Sequence, residues 1–302
     1  MTIPLITHPS YSFDFPEKHR FPMQKFRLLH ECLKSKGLAK PNNTFRPGRA
    51  KASLLALAHC PDYIQQFCTN QLDAKAIRRM GLPWSEALLT RSLISPAGTL
   101  LAAHYAMHHG VACHLAGGTH HAHFNYGSGF CVLNDLAITA KALLASPDIN
   151  RVLIFDCDVH QGDGTASILS NTPEAFTCSV HCDKNFPARK ACSDLDIDVP
   201  KGTTDQDYLD IVERALQLAF EQCQPDIVLY DAGVDVFIDD PLGLLNISLT
   251  GIAQRDRLVM EYCKHRAVPV ATVIGGGYDK DDMAVAQRHA IAVDVAAQLY
   301  NA

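Results

Sequence analysis

The 302-residue chain has little charge of either sign in excess: its formal net charge is -5 with His counted neutral. A groove for a nucleic-acid backbone draws on a basic surplus, so no nucleic-acid partner is expected. No apolar stretch approaches the roughly 20 residues that cross a bilayer. Met1 to Ser10 contain no basic segment followed by an apolar run, so no secretory signal is read there. A soluble, cytoplasmic protein without a membrane partner is expected. The eleven Cys are an odd number and lack the dense spacing of a disulfide scaffold. Cys113, Cys131, Cys157 and Cys178 lie in or beside apolar stretches and read as small buried residues. Internal repeats, low-complexity tracts and Gly/Ser linkers are missing too, so one domain over residues 1–302 is expected. Pro41 to Arg49, polar and with two Pro, reads as a surface loop.

What is present is an ordinary globular composition, 47% apolar, in which short apolar runs alternate with longer helix-like segments. Strands are predicted at Val111–Ala116, Arg151–Phe155, Ala175–Val180, Asp226–Tyr230 and Val268–Ile274. Helices are predicted around Ala97–His109, Leu133–Leu144, Tyr208–Gln222, Thr250–His265 and Asp281–Leu299, with Asp205 and Thr250 in helix N-terminal regions. Alternation of this kind points to an α/β fold, a parallel sheet with helices on both faces.

Polar residues gather at the carboxyl ends of the runs. His120 and His121 follow the first, Asp156, Asp158 and His160 the second, Asp231 and Asp235 the fourth, and Gly275-Gly276-Gly277-Tyr278 the fifth. In an open parallel sheet the ligand crevice lies along that edge, so separate strands aim their chemistry at one place. If the strand before Asp156-Cys157-Asp158-Val159-His160 runs on, its period of two puts Asp156, Asp158 and His160 on one side. Two carboxylates and an imidazole there form a donor set for Zn²⁺ or Fe²⁺. A solvated strand end is the plainer reading, but two acids directly after a buried strand are costly without a partner. Asp235 offers a third ligand from another strand, and Asp231 competes for that role on spacing alone.

His120 and His121 follow Gly117-Gly118-Thr119, and a Gly-permitted turn lets neighbouring histidines converge as an acid and base pair. Surface histidines or a second metal site are the plainer readings, and His123 is given no role. Asp163 either holds a catalytic ring by its N–H or belongs to an ordinary Asp-Gly turn. The phenol of Tyr278, ordinarily a packing group, can donate to a developing oxyanion. The triple Gly before it lacks the spacing of a phosphate-binding loop.

Taken in order, these blocks resemble the histone deacetylase family and its bacterial amine and polyamine deacetylase relatives. The resemblance rests on Gly117-Gly118-Thr119-His120-His121-Ala122, Ser128-Gly129-Phe130-Cys131 with Asn134-Asp135, and Asp156-Cys157-Asp158-Val159-His160-Gln161-Gly162-Asp163-Gly164. It continues through Ala232-Gly233-Val234-Asp235, Asp240-Pro241-Leu242-Gly243 and Gly275-Gly276-Gly277-Tyr278. His19-Arg20-Phe21-Pro22-Met23, Lys184-Asn185-Phe186-Pro187 and Ser193-Asp194-Leu195-Asp196 look most like the class IV branch, which includes many bacterial members.

The resemblance implies the arginase/deacetylase fold: a three-layer sandwich whose central, mainly parallel eight-stranded sheet is flanked by helices. It implies Asp158, His160 and Asp235 as zinc ligands, His121 as general base and acid, and His120 as its charged partner. Asp156 and Asp163 stand behind His120 and His121, and Tyr278 stabilises the oxyanion. Gly129, Phe130 and Phe186 match substrate-binding positions, the first through its carbonyl and the others as aromatic walls. A structural K⁺ site is implied at Asp156, Ser179 and Val180. Ala188-Arg189-Lys190 replaces the Gly-Thr-Gly that class I enzymes carry after the aromatic wall. The expected activity is zinc-dependent removal of an acetyl or longer acyl group from an acylated lysine side chain. An acetylpolyamine or other small acylated-amine deacetylase is the alternative on the same fold. A non-catalytic acyl-lysine binding protein is the alternative of another class.

Overall fold

The computed structural model describes residues 2–301. In chain order its elements are β1 (Leu5–Ile6), α1 (Lys25–Ser35), β2 (Thr44–Phe45), α2 (Ala52–Leu55), α3 (Pro61–Cys68), α4 (Ala74–Met80), α5 (Glu86–His109) and β3 (Val111–His114). There follow α6 (Asp135–Leu144), β4 (Val152–Asp156), α7 (Asp163–Leu169), β5 (Ala175–Cys182), β6 (Leu195–Val199) and α8 (Asp205–Cys223). The chain ends with β7 (Ile227–Asp231), α9 (Leu249–His265), β8 (Val270–Val273) and α10 (Asp282–Tyr300).

All eight strands join one sheet in the order β2-β1-β3-β8-β7-β4-β5-β6, and every pairing is parallel. Strands β3, β4, β7 and β8 are buried along their whole length, as apolar runs covered on both faces should be. Helices α5, α6 and α7 form one covering layer, and α1, α10, α9 and α8 form the other. The topology positions the site. From β3 the chain passes to β4 and out to β6, then returns to insert β7 and β8 between β3 and β4. The loops after β3, β4, β7 and β8 therefore leave the sheet side by side. In register, Asp156 of β4 lies opposite Asp231 of β7, which lies opposite Val273 of β8.

Three expectations are corrected. The segment Pro41–Arg49 contains β2, which pairs with β1 through Leu5–Thr44 and Ile6–Phe45. The helix expected from Ala97 begins at Glu86, capped by the Ser85 hydroxyl, and runs through a buried Pro96. Packing of α5 on β3 and β8 outweighs the local cost of that proline. Strand β4 stops at Asp156, and Asp158 and His160 lie on the turn beyond it.

Candidate active site

Because the strand ends there, Asp156 does not share a side with Asp158 and His160. The turn folds back on itself: the Asp158 amide donates to Asp156 Oδ1 (3.0 Å), and the His160 amide donates to Asp158 Oδ1 (2.9 Å). Two separate groups of potential ligands result. Asp158, His160 and Asp235 form one, and His120, Asp156 and Asp231 the other; within each, ligating atoms lie within 4.8 Å of one another. Asp231, the competitor of Asp235 on spacing, thus sits with His120.

In the first group His160 Nδ1 is 3.0 Å from Asp158 Oδ1 and 3.1 Å from Asp235 Oδ2. Asp235 Oδ1 accepts from the Val159 amide (2.9 Å), and Asp158 Oδ2 accepts from the Gly276 amide (2.6 Å). Beyond its contact with His160, Asp235 Oδ2 is buried and makes no well-aligned hydrogen bond among the described residues. A Cβ at Gly276 would meet that oxygen at 2.0 Å and Asp158 Oδ2 at 2.6 Å, so only glycine lets the loop approach. Burial, then the neighbouring Asp158, pushes the Asp235 carboxyl above its usual range. Two buried carboxylates and an imidazole, one oxygen left over, fit a divalent first-row ion.

Beside them, each histidine of the pair is held from behind. His120 Nδ1–H donates to Asp156 Oδ2 (2.7 Å), and His121 Nδ1–H donates to Asp163 Oδ1 (2.6 Å). Both rings therefore turn Nε2 inward, where the two nitrogens lie 3.1 Å apart. Their electrostatics differ. Burial opposes the charge on His120, but Asp156 and then Asp158 outweigh it and hold its pKa well above the ordinary value. Burial and then the charge of His120 push His121 down to about 4, against the pull of Asp163. The surroundings thus favour the cation at His120 and the neutral ring at His121.

Tyr278 joins Asp158, His160, His120 and His121 in lining one narrow cavity of about 30 Å³, room for roughly two water molecules. Its backbone is fixed by its amide donating to Asp240 Oδ2 (2.7 Å) and its carbonyl accepting from Arg288 Nη2 (3.0 Å). The Phe130 ring lies 5.9 Å from the Tyr278 ring, and the half-exposed Phe186 ring meets His121 edge-on at 4.8 Å. Gly129 has φ of +52°, and a Cβ there would meet His121 Cδ2 at 2.6 Å. Ser179 of β5 lies in register with Asp156, and its hydroxyl pairs with His181 Nδ1 (3.0 Å); Val180 follows, buried.

Several supports were given no role by the sequence. His123, read without a role, shares Asp163 with His121 through its Nε2 (3.1 Å). Asp135, the first residue of α6, accepts from the amides of Gly118 (3.2 Å) and Thr119 (2.7 Å) and so anchors the turn before the histidine pair. Arg255 of α9, fully buried and paired with Asp256, donates to the carbonyls of Cys157, Gly233 and Ala232, strapping the two ligand loops together. No spacing rule encodes such contacts, since the partners lie on different elements.

His59, between α2 and α3, is another. The Asn134 amide donates to its Nε2 (2.8 Å), so its Nδ1–H donates to the His123 carbonyl (3.0 Å), and the ring must be neutral. Burial pushes its pKa from 6.5 down to about 4. The unfolded chain therefore takes up this proton first as pH falls, and stability is lost between pH 6.5 and 4. A shift of this size corresponds to on the order of 3 kcal/mol. Denaturant titrations at a series of pH values should show a shallower acid decline in His59→Gln than in the parent. Parallel declines would mean that the buried ring is not the source.

Eight parallel strands in this order, with the chemistry gathered where β7 and β8 insert between β3 and β4, are the arginase/deacetylase fold. A family model described as the histone deacetylase domain matches residues 19–293, and the chain belongs to that family. It is 46% identical over 300 residues to an uncharacterised protein of Picosynechococcus sp., covering 99% of this chain and 100% of that protein. It is 29% identical over 296 residues to histone deacetylase 2 of Arabidopsis thaliana, covering 94% of this chain and 76% of that one. A solved structure described as an HDAC homolog complexed with SAHA has the same fold, with a TM-score of 0.80 at 23% identity, covering 98% of this chain and 84% of that chain.

Proposed function

We propose that this protein is a metal-dependent deacylase of the class IV type that hydrolyses the side-chain amide of an acylated lysine. The observation that carries the reading is the pair of carboxylate-held imidazoles, their inward nitrogens 3.1 Å apart, beside an Asp-His-Asp donor set whose Asp158 and His160 line the same cavity as Tyr278. A binder of acylated lysine has no use for such proton-transfer groups.

A divalent ion held by Asp158, His160 and Asp235, Zn²⁺ or Fe²⁺, supplies Lewis-acid activation of water and of the acyl carbonyl when bound. The neutral Nε2 of His121 accepts the proton of the attacking water, with Asp163 fixing the ring's tautomer. His120, charged against Asp156, stabilises the negative charge that develops beside it. The Tyr278 hydroxyl donates to the carbonyl oxygen as it gains charge. His121 then passes its proton to the departing nitrogen, so amine and carboxylate leave. Phe130 and Phe186 wall the aliphatic stem, and the Gly129 carbonyl accepts from the substrate amide N–H. A structural K⁺ at Asp156, Ser179 and Val180 belongs to the same proposal.

The test is release of carboxylate from acyl-lysine peptides, acetyl to long-chain, alongside acetylated polyamines, with the metal-loaded protein and a chelator control. Chelator-sensitive turnover of a lysine peptide is the expected result, and the best chain length describes the tunnel. Turnover of acetylpolyamines alone would move the substrate to small acylated amines. Metal bound at one equivalent with no turnover of any amide would leave a binding protein.

A further inference from the structure

Lys25 is the first residue of α1, and its side chain is buried to within 2%. A cation at a helix N-terminus faces the positive end of the peptide dipoles, and burial adds the cost of desolvation. Burial pushes its pKa down to about 8, against the pull of Asp235. Its ammonium donates not to a carboxylate but to two carbonyls of the glycine loop, Gly275 (3.2 Å) and Gly277 (3.4 Å). It also sits among three aromatic rings: Phe26 at 5.5 Å, and Phe21 and Tyr278 at 5.7 Å.

The loop it reaches is a run of glycines in unusual backbone conformations. Gly275 and Gly277 have φ of +59° and +154°, backbone that only glycine adopts readily. The contacts of Asp240 and Arg288 act on Tyr278 itself, downstream of the glycines. Between Gly275 and Gly277, the Gly276 amide donates to Asp158, and the Gly276 carbonyl accepts from the Val234 amide (2.8 Å). Lys25 takes the two flanking carbonyls, those of Gly275 and Gly277, and lies against the face of the tyrosine ring.

We infer that Lys25 is a positioning residue, whose ammonium ties the Gly275 and Gly277 carbonyls and the Tyr278 ring together so that the Tyr278 hydroxyl stays in the reaction cavity. The inference rests on the role proposed above for Tyr278. The role was invisible in the sequence because α1 and the glycine loop are 250 residues apart.

The experiment compares Lys25→Met and Lys25→Arg, each with and without Tyr278→Phe. Lys25→Met keeps the length and packing of the stem, and Lys25→Arg keeps the donor and the cation. In the otherwise unchanged enzyme, Lys25→Met should lower kcat by about 10- to 100-fold with little change in KM, the scale of a slightly misplaced group. Lys25→Arg should recover part of that loss. In the Tyr278→Phe background Lys25→Met should have almost no further effect, since the hydroxyl it positions is gone. Hydrogen exchange provides a readout independent of turnover and of metal. The amides of residues 274–278 should exchange about tenfold faster in Lys25→Met than in the parent or in Lys25→Arg. Unchanged exchange, or an equal loss of kcat with and without the tyrosine hydroxyl, would overturn the inference. A parent protein inactive on every amide tested removes the deacylase reading, while the exchange experiment still decides whether Lys25 holds the loop.

Discussion

Asp235→Asn should abolish hydrolysis while leaving the metal-free protein as stable as the parent, or more so. The carboxylate is fully buried, its Oδ1 accepts from the Val159 amide, and its Oδ2 lies 3.1 Å from His160 Nδ1 without a well-aligned hydrogen bond among the described residues. In the metal-free protein burial and the proximity of Asp158 disfavour the charge on this residue and outweigh the pull of His160. An amide of the same shape keeps the Oδ1 contact and removes that repulsion. Unfolding of the metal-free protein should therefore shift little or upward. Toward a divalent ion the same change removes one of three protein donors and one of two negative charges. Losing a residue that merely supports a ligand typically costs 10–100-fold in affinity or activity, so losing the ligand should cost roughly 10³-fold or more. Metal added at fixed concentration should raise the parent's melting temperature and barely move that of the variant, because stabilisation follows the ratio of ligand to Kd. Equal metal-induced stabilisation in both proteins would remove Asp235 from the ligand set. A large loss of stability without metal would show that the residue serves the fold.

The convergence of groups at one sheet edge was legible because β3, β4, β7 and β8 are buried on both faces and read as continuous apolar runs. The polar residues terminating them stand out against that background. The N-terminal third was not legible in the same way. Strands β1 and β2 have two residues each, too few to show any period, and β2 hides in a stretch with two prolines. Local pattern also misjudged Asp156, where a strand period predicts one shared side but the backbone turns at the strand's last residue. That turn makes the difference chemically. It sends Asp156 to His120, where it favours the charge on that ring, and leaves Asp158 and His160 to meet Asp235. The residues that hold these groups in place, among them Asp135, Arg255, His59 and Lys25, act across elements and become visible only when the sheet order sets those elements beside one another.

Tyr278→Phe should lower kcat by about 10²–10³-fold, the usual consequence of removing one donor to a developing oxyanion. Little else should change. The ring lies 5.9 Å from Phe130 and 6.5 Å from Phe21, and the Lys25 ammonium is 5.7 Å from its centre; a phenylalanine keeps all three neighbours. The backbone bonds to Asp240 and Arg288 do not involve the side chain. Stability and metal content should therefore match the parent. Burial, and then the nearby charge of Asp235, holds the phenol far above its ordinary pKa, so at neutral pH the hydroxyl keeps its proton and can only assist as a donor. Donation matters most when the carbonyl oxygen carries charge, which places the loss in kcat and leaves KM within a few-fold. A rise in KM at constant kcat would mean that the hydroxyl holds the substrate in its ground state. Turnover equal to that of the parent would show that oxyanion stabilisation comes from elsewhere, and the interpretation of Lys25 would lose its basis at the same time.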